Sequence, residues 1–295
     1  MISRTLITAL FALIIYLIFV PLLLPNVQIE QHQEQGNKIK AQNFIYNNSD
    51  TIDNVIVGSS LASRILSDSL DNFYNLSFAG QSIFEGLNIL LRKKHLPKNV
   101  FIETNVILRS EDEAFTSCLF TPYTYYSQYY LPSLRTGKEP AALIVAATEY
   151  IIRKMTGKDK SLKETVPGLS PDSPLFKKLL TNHIIYYSKK PDSLILNQSI
   201  IRLKYFVNLL KKKNVNVIFF EMPVNNSLCE LTLAKTIRQT IHETFPEGLF
   251  LYIDKPACTD YITSDGLHLP DQEAIKYTSY FKRKIANSDC LQVKL

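Results

Sequence analysis

Short apolar runs alternate with amphipathic segments along most of the chain, and this alternation predicts the secondary structure. Five runs rich in β-branched and aromatic residues predict strands at 54–57 (NVIV), 73–78 (FYNLSF), 100–106 (VFIETNV), 215–222 (VNVIFFEM) and 249–253 (LFLYI). Apolar residues at helical spacing predict helices over 61–70, 82–95, 200–213, 231–245 and 271–285. Strands that alternate with helices favour an α/β fold, in which a doubly wound, five-stranded parallel sheet is covered on both faces.

The third and fourth predicted strands are too far apart for an ordinary crossover connection, which needs only about a dozen residues or somewhat more. Residues 107–196 are therefore predicted to form a large helical insertion after the third strand. Five tyrosines lie within residues 123–130 (YTYYSQYY), and residues 133–195 hold eleven Lys and Arg against six Asp and Glu. Residues 133–195 of this insertion therefore carry a charge of +5, nearly the whole net charge of +6.

One apolar run differs from the others in length, because Thr5 to Leu24 contains twenty residues without a charge. A helix of this length spans the roughly 30 Å hydrocarbon core of a bilayer. A cleaved signal peptide is the alternative, but the run exceeds the usual apolar core of such peptides and no A-x-A site follows it. Residues 1–24 are predicted to be a membrane anchor and residues 25–50 a polar stalk. Residues 51–290 are predicted to form the α/β domain.

The positions of charged residues predict the orientation in the membrane, and the spacing of cysteines bears on metal binding and disulfides. Arg4 precedes the apolar run and no Lys or Arg follows it closely, so the N-terminus is predicted to be cytoplasmic and the domain extracytoplasmic. The four cysteines, Cys118, Cys229, Cys258 and Cys290, show no zinc-type spacing, and no metal or cofactor is expected. Cys229 and Cys258 each follow a predicted strand and could form a disulfide; the alternative is buried thiols.

A serine follows the first predicted strand, where the sequence reads Gly58-Ser59-Ser60. A side chain at the carboxyl end of a strand lies at the sheet edge, close to the amide groups of the next helix. Ser60 is therefore a candidate nucleophile, although nucleophilic catalysis also needs a base and donors for the oxyanion. The simpler alternative is that this sequence turns the chain and caps a helix.

An acid and a histidine lie three residues apart after the fifth predicted strand, within residues 264–270 (SDGLHLP). On a loop, Asp265 and His268 can lie side by side, so that the carboxylate orients the imidazole while its other nitrogen faces a serine. In the alternative, Asp265 caps the following helix and His268 lies on the surface.

Two further strand ends carry residues that could bind an oxyanion. Gly80 follows the second predicted strand, where a glycine lets a backbone N–H approach a ligand closely. Asn105 lies at the end of the third strand, although asparagine is a poor strand former, and its amide could donate to an oxyanion. The simpler roles are a tight turn at Gly80 and a bond from Asn105 to a backbone carbonyl.

The order of these residues along the chain resembles the SGNH (GDSL-type) hydrolase superfamily, and the resemblance covers residues 54–106 and 214–285. It implies an SGNH-like sheet and a catalytic triad formed by Ser60, Asp265 and His268. It also implies an oxyanion hole formed by Ser60, Gly80 and Asn105.

Two departures from the family pattern point to one branch of it. Ser59 stands where the first motif usually has Asp, and residues 103–106 (ETNV) replace the usual G-x-N-D. Both look like the membrane-anchored, extracytoplasmic branch, which includes proteins of teichoic-acid D-alanylation and of alginate and peptidoglycan O-acetylation. Several of these proteins work beside a membrane-bound O-acyltransferase.

The resemblance implies a serine esterase or O-acyltransferase, with O-acetyl as the expected group, that acts on a cell-envelope polysaccharide or glycan. The alternative is a non-catalytic SGNH-like assembly partner of a membrane-bound O-acyltransferase complex. The tyrosines and the basic insertion are interpreted as a surface for the acceptor, although ordinary packing and attraction to anionic lipid headgroups explain them as well. A nucleic-acid partner is not expected, because no binding motif is present.

Overall fold

The computed structural model describes residues 2–23, 30, 32–47, 52–139, 148, 155 and 170–287. Ten α-helices and five strands lie within these residues. The helices are α1 (Ile2–Leu23), α2 (Gln33–Tyr46), α3 (Phe84–Leu91), α4 (Glu113–Phe120), α5 (Pro122–Tyr130), α6 (Pro174–Tyr187), α7 (Ser193–Lys212), α8 (Asn226–Cys229), α9 (Thr232–Thr244) and α10 (Asp271–Ala286). The strands are β1 (Asn54–Val57), β2 (Phe73–Asn75), β3 (Asn99–Glu103), β4 (Asn216–Phe220) and β5 (Leu251–Tyr252).

The five strands form one sheet in the order β2-β1-β3-β4-β5, and every neighbouring pair is parallel. The α/β fold and the five-stranded parallel sheet predicted from the sequence are confirmed. Chain order reverses at β1, which lies between β2 and β3. In open sheets of this kind, ligands bind beyond the carboxyl ends of the strands where the order reverses. The ends of β1 and β3 are therefore where a site is expected.

Alternate residues of β4 pack on opposite faces of the sheet, as the two-residue period of a strand requires. The Phe220 ring lies 5.3 Å from Phe281 of α10. The neighbouring Phe219 ring lies 4.9 Å from Phe245, which directly follows α9. Phe219, Phe220 and Phe281 are all at most 1 % exposed, so the sheet is covered on both faces. This burial explains why the strands are almost continuously apolar.

The helix predicted over residues 61–70 is wrong, because this segment forms two 3₁₀ turns, Ala62–Arg64 and Ser67–Ser69. The reason is a side chain from β2. The Asn75 amide donates to the carbonyl oxygens of Ala62 and Ile65 at 2.8 and 2.9 Å. Those carbonyls are thereby taken from the i→i+4 bonds that an α-helix would need.

The chain divides into two compact units, and the first combines Met1–Asn48 with Glu113–Lys163. In this unit the Gln42 side chain donates to Thr136 Oγ1 at 2.9 Å, and the Arg135 guanidinium lies 4.8 Å above the Tyr46 ring. The predicted stalk over residues 25–50 needs correction, because it contains helix α2, whose Ala41, Phe44 and Ile45 side chains are buried. Four of the five tyrosines in α5 are more than half exposed.

Helix α1 belongs to this first unit and exposes its apolar side chains. Leu6, Ile7, Leu10 and Phe11 are each more than half exposed. Among the helices in the described part of the chain, none combines the length and the apolar character needed to cross a bilayer. The membrane anchor expected over residues 1–24 stays a prediction.

The second unit combines Ser49–Asp112 with Glu164–Leu295 and contains the sheet. Four described helices, α4 to α7, lie between β3 and β4, where the sequence predicts the insertion. Of these, α6 and α7 belong to the second unit, with α9 packed against both. The parts of the predicted insertion at 140–147, 149–154 and 156–169, and Cys290, lie outside the described residues.

Candidate active site

The turn after β1 brings Ser60 to the carboxyl edge of the sheet, where order reversal predicts a site. Gly58 is required there, because a Cβ at this position would lie 2.4 Å from the Ala62 Cβ and 2.6 Å from Glu103 Oε2. Ser59 is fully buried and points inward, whereas Ser60 is partly exposed. The two adjacent serines therefore have different surroundings, and Ser60 is the one that a ligand can reach.

The buried carboxylate of Glu103 accepts hydrogen bonds from the turn after β1 and holds this turn in place. Glu103, at the end of β3, is fully buried and accepts hydrogen bonds from Ser59 N at 2.7 Å, Ser59 Oγ at 3.0 Å and Ala62 N at 3.2 Å. Burial raises the pKa of Glu103, and these hydrogen bonds together with Arg109 offset part of that rise. Glu103 thus fixes the backbone on both sides of Ser60 without reaching the ligand itself.

The loop before α10 brings an imidazole to the serine. His268 Nε2 lies 2.9 Å from Ser60 Oγ, and His268 Nδ1 lies 2.7 Å from Asp265 Oδ2. These three side chains form the series carboxylate, imidazole and hydroxyl that acyl-transfer triads use. The prediction that Asp265 and His268 lie side by side and face Ser60 is confirmed as geometry.

The carboxylate of Asp265 is itself held in place by the loop that it belongs to. Its Oδ1 accepts hydrogen bonds from the backbone N–H groups of Leu267 at 2.9 Å and His268 at 2.8 Å. Burial acts to raise the pKa of Asp265, but the hydrogen bonds from His268 and from these N–H groups outweigh it and lower that pKa well below its usual range. Asp265 therefore stays ionised at lower pH than a free carboxyl group does, which suits a group that orients an imidazole.

A glycine and a neighbouring backbone fix the shape of this loop. Gly266 has φ +98°, in the region that favours glycine, and its carbonyl accepts a hydrogen bond from Asn225 N at 3.0 Å. A Cβ at Gly266 would approach Leu180 and His183 of α6 at 3.2 and 3.3 Å. The loop is thus packed against α6 and bonded to the segment that follows β4.

Asn105 lies just after β3 and reaches the site with its amide partly engaged. Its Oδ1 accepts from Met222 N at 2.7 Å, and its Nδ2 donates to Met222 O at 2.9 Å. This pairing is the carbonyl-binding alternative considered for Asn105. An amide nitrogen has two protons, so the pairing fixes the side chain and leaves one N–H for a second acceptor.

A cavity of about 460 Å³ lies over these residues, and Ser60, Asn105 and His268 all line it. One part of its wall is aliphatic and is formed by Leu61, Val106, Leu108, Leu233, Ile237 and Leu267. Another part is polar and is formed by Arg109, Ser110, His183 and Tyr186, with Tyr187. The cavity therefore offers surfaces for both an apolar and a polar part of a ligand.

Gly80 is the predicted site residue that the structure does not bring to the cavity. It lies in an exposed turn after β2, with φ +76°, and it is not among the described residues that line the cavity. The turn is held by a bond from Gln81 N to Phe78 O at 3.3 Å. Gly80 therefore fits the simpler role of a tight turn in this structure.

Sequence reasoning missed two residues at the site. Glu103 was visible only as a departure from a family motif, because nothing local shows that a strand-end carboxylate turns inward. His183 lies on α6 in the insertion, lines the cavity, and has a pKa lowered mainly by burial, with Asp265 raising it and His268 lowering it. No motif surrounds His183, so only the packing of α6 reveals it.

A disulfide links the segments that follow β4 and β5. Cys229 and Cys258 are joined, with their Cα atoms 5.9 Å apart, and the Lys255 ammonium donates to Glu230 beside them at 2.7 Å. Within the described residues, Cys229, Glu230 and Cys258 are the one group with metal-ligand spacing, and the bond between their sulfurs leaves no thiolate there to bind an ion.

The structure thus brings together Ser60, Asn105, Asp265 and His268 of the predicted site and leaves Gly80 outside it. Ser60 and Asn105 follow strands β1 and β3 of the same sheet. Asp265 and His268 lie between β5 and α10. No family model matches this chain, and no curated protein matches it.

Proposed function

We propose that this protein is a serine esterase or O-acyltransferase of the SGNH type, acting on an ester of a cell-envelope polysaccharide or glycan. The observation that carries the proposal is the hydrogen-bonded series from Asp265 through His268 to Ser60, with 2.7 and 2.9 Å between the joined atoms. An open cavity over the serine oxygen gives a substrate access to it.

The proposed reaction begins with attack of Ser60 Oγ on the ester carbonyl carbon, while His268 Nε2 takes the serine proton. Asp265 stabilises the imidazolium that forms. The tetrahedral intermediate then expels the alcohol, which receives the proton from His268, and leaves an acyl group on Ser60. Water or a sugar hydroxyl, deprotonated by His268, attacks the acyl group and restores the free serine.

The oxyanion needs donors that are already in position when negative charge forms. The Asn105 amide supports this role, since its pairing with Met222 fixes the side chain at the cavity and leaves one N–H available. The backbone N–H of Ser60 is the second proposed donor. We do not include Gly80, because it is exposed and does not line the cavity.

The proposed acceptor of the acyl group is an envelope glycan, and the proposed donor system is a membrane-bound O-acyltransferase. The exposed tyrosines of α5 support a surface for sugar rings, because aromatic faces stack on them. Transfer requires a hydroxyl of the acceptor to compete with water, so a product assay with an oligosaccharide separates the transferase from the esterase.

We further propose that residues 1–24 anchor the chain with its N-terminus in the cytoplasm and its catalytic part outside. Two observations support this placement. The described apolar side chains of α1 are exposed, and the Cys229–Cys258 disulfide is typical of oxidising compartments. A C-terminal tag that resists added protease in sealed, right-side-out vesicles would contradict this orientation.

The test of the catalytic proposal combines labelling and turnover. Wild type should react with a fluorophosphonate probe and release acetate from an acetylated oligosaccharide, and Ser60→Ala should do neither. Ser110→Ala is the matched control, because Ser110 lines the same cavity without contacting the imidazole. Equal labelling of wild type and Ser60→Ala would exclude Ser60 as the nucleophile. A folded wild type that shows neither labelling nor turnover would favour the non-catalytic assembly partner.

A further inference from the structure

Helix α7 has two apolar faces, and only one of them is buried. Ile200, Leu203, Phe206 and Leu210 pack inward and are each at most 5 % exposed. At 100° per residue, Leu194, Ile201 and Tyr205 fall on the opposite side of the helix. They are 64 %, 59 % and 59 % exposed. An amphipathic helix that needed only to pack on the sheet would carry polar residues at these positions.

Further exposed apolar residues lie at the connection between α6 and α7. Only residues 188–192 separate the two helices, so the last turn of α6 lies close to the first turn of α7. Ile185 and Tyr186 are 54 % and 55 % exposed, and Lys189 and Lys190 at the turn are exposed as well. We call Ile185, Leu194, Ile201, Tyr205, Lys189 and Lys190 the basic-apolar face.

Charge on these two helices has one sign. Neither α6 nor α7 contains an Asp or a Glu, and Asp192 is the acidic residue of their connection. Lys177 and Lys178 of α6 and Lys204 of α7 are exposed as well. The partner of such a face must therefore offer both an apolar region that buries side chains and a negatively charged surface.

We propose that the basic-apolar face docks on a lipid bilayer that contains anionic lipids. Leucine and isoleucine side chains gain free energy by leaving water for the acyl region, while lysines at the rim pair with anionic headgroups. An anionic polysaccharide would satisfy the lysines and leave the aliphatic side chains in water. Exposed patches of this kind mark interaction sites in soluble regions of proteins. This surface does not depend on the proposed esterase activity.

The basic-apolar face lies beside the cavity that contains Ser60. Tyr186 lies next to Ile185 in the face and also lines the cavity above Ser60. Docking therefore brings one wall of the cavity to the headgroup level.

The absence of tryptophan from the chain permits a local test. A single tryptophan is introduced by Leu194→Trp, and the full-length chain is reconstituted in vesicles of phosphatidylglycerol and brominated phosphatidylcholine. Bromine on the acyl chains quenches an indole only when the indole enters the bilayer. The matched control is Ile275→Trp, at a position 54 % exposed on α10, which packs on the face of the sheet that Phe220 occupies. We expect quenching of Leu194→Trp and none of Ile275→Trp, whether or not α1 spans the same bilayer.

Charge removal provides the second arm. Lys189→Gln with Lys190→Gln, in the Leu194→Trp background, should weaken docking roughly thirtyfold, because each lysine near an anionic surface contributes roughly fivefold. Lys282→Gln with Arg283→Gln on α10 removes the same charge and should leave quenching unchanged. Equal quenching of both tryptophan variants would overturn the proposal. So would an unquenched Leu194→Trp whose emission shifts only with an anionic oligosaccharide, since this would assign the face to a polymer.

Discussion

Removal of the Glu103 carboxylate tests whether a residue outside the cavity holds the nucleophile in place. In Glu103→Ala the backbone N–H groups of Ser59 and Ala62 lose their acceptor while they remain buried. Each buried donor left without a partner costs about 1–3 kcal/mol, so the two together cost about 2–6 kcal/mol of unfolding free energy. That loss is a large fraction of the stability of an ordinary domain, which is about 5–15 kcal/mol.

The matched variant is Glu103→Gln, which keeps the volume and one acceptor oxygen. If that oxygen takes the place of Oε2, it still accepts from Ser59 N and Ala62 N, and the new amide donates to Ser59 Oγ, which can accept. Because burial raises the pKa of Glu103, a neutral side chain also avoids the cost of burying a charge. We expect Glu103→Gln to lose less than about 1 kcal/mol, since it keeps its buried hydrogen bonds.

Stability is measured by denaturant unfolding of the full chain in detergent, and ester hydrolysis is measured on the same samples. Glu103→Ala should also lose about a hundredfold in turnover, since displacement of a reacting group by about 1 Å has effects of that size. An acidic group whose pKa is higher in the folded state than in the unfolded state stabilises the fold while it is protonated. This contribution is lost as the pH rises and the group ionises. The unfolding free energy of Glu103→Gln should therefore increase relative to that of wild type as the pH rises above 4.5, the pKa of this carboxyl group in the unfolded chain. Equal stability of Glu103→Ala and wild type, or equal damage in the two variants, would refute this account.

Three further predictions concern the site and its support. Asn105→Ala should lower the rate of ester hydrolysis on the order of 10²–10³-fold, as loss of an oxyanion donor does, and an unchanged rate would exclude that role. Asp265→Asn should lower turnover on the order of 10⁴-fold with binding largely retained. Because the pKa of Asp265 is depressed in the folded protein, its contribution to stability should be present above the usual value of 3.8 and should be lost as the pH falls below it. The unfolding free energies of wild type and Asp265→Asn, measured against pH, should therefore converge in acid. A difference that does not change with pH would contradict this prediction. Cys229→Ser should lower the unfolding free energy by about 3–4 kcal/mol, the chain-entropy value for a loop of this length, and reduction of wild type should reproduce the loss.

Strand positions were readable from the sequence, because strands buried on both faces are continuously apolar. The pairing of Asp265 with His268 was readable as well, since three residues on a loop allow a direct contact. The two 3₁₀ turns after Ser60 were not readable. They depend on the Asn75 side chain of β2, whose amide binds backbone carbonyls that an α-helix would use. The spacing of apolar residues in 61–70 carries no information about this side chain.

The site residues that sequence reasoning missed are positioned by tertiary packing alone. Glu103 turns inward because Gly58 leaves room for its carboxylate, and His183 reaches the cavity because α6 packs on Gly266. Helix α2 was hidden for a similar reason, since a segment rich in Gln and Asn does not show which of its few apolar residues will be buried. Gly80 is a different case, because the order of motifs placed it in the site and it is not among the described residues that line the cavity.

The distance along the chain between Ser60 and His268 has a consequence for the proposed activity. Ser60 Oγ and His268 Nε2 are hydrogen-bonded across 208 residues, whereas the last strand of the sheet ends at Tyr252. A chain that stops at the last strand therefore lacks His268, the proposed base. Contacts so distant in sequence form late, because the entropy of closing the loop must be overcome first. In the proposed mechanism, Ser60 therefore gains its base only after the segment that follows β5 has been made and has folded.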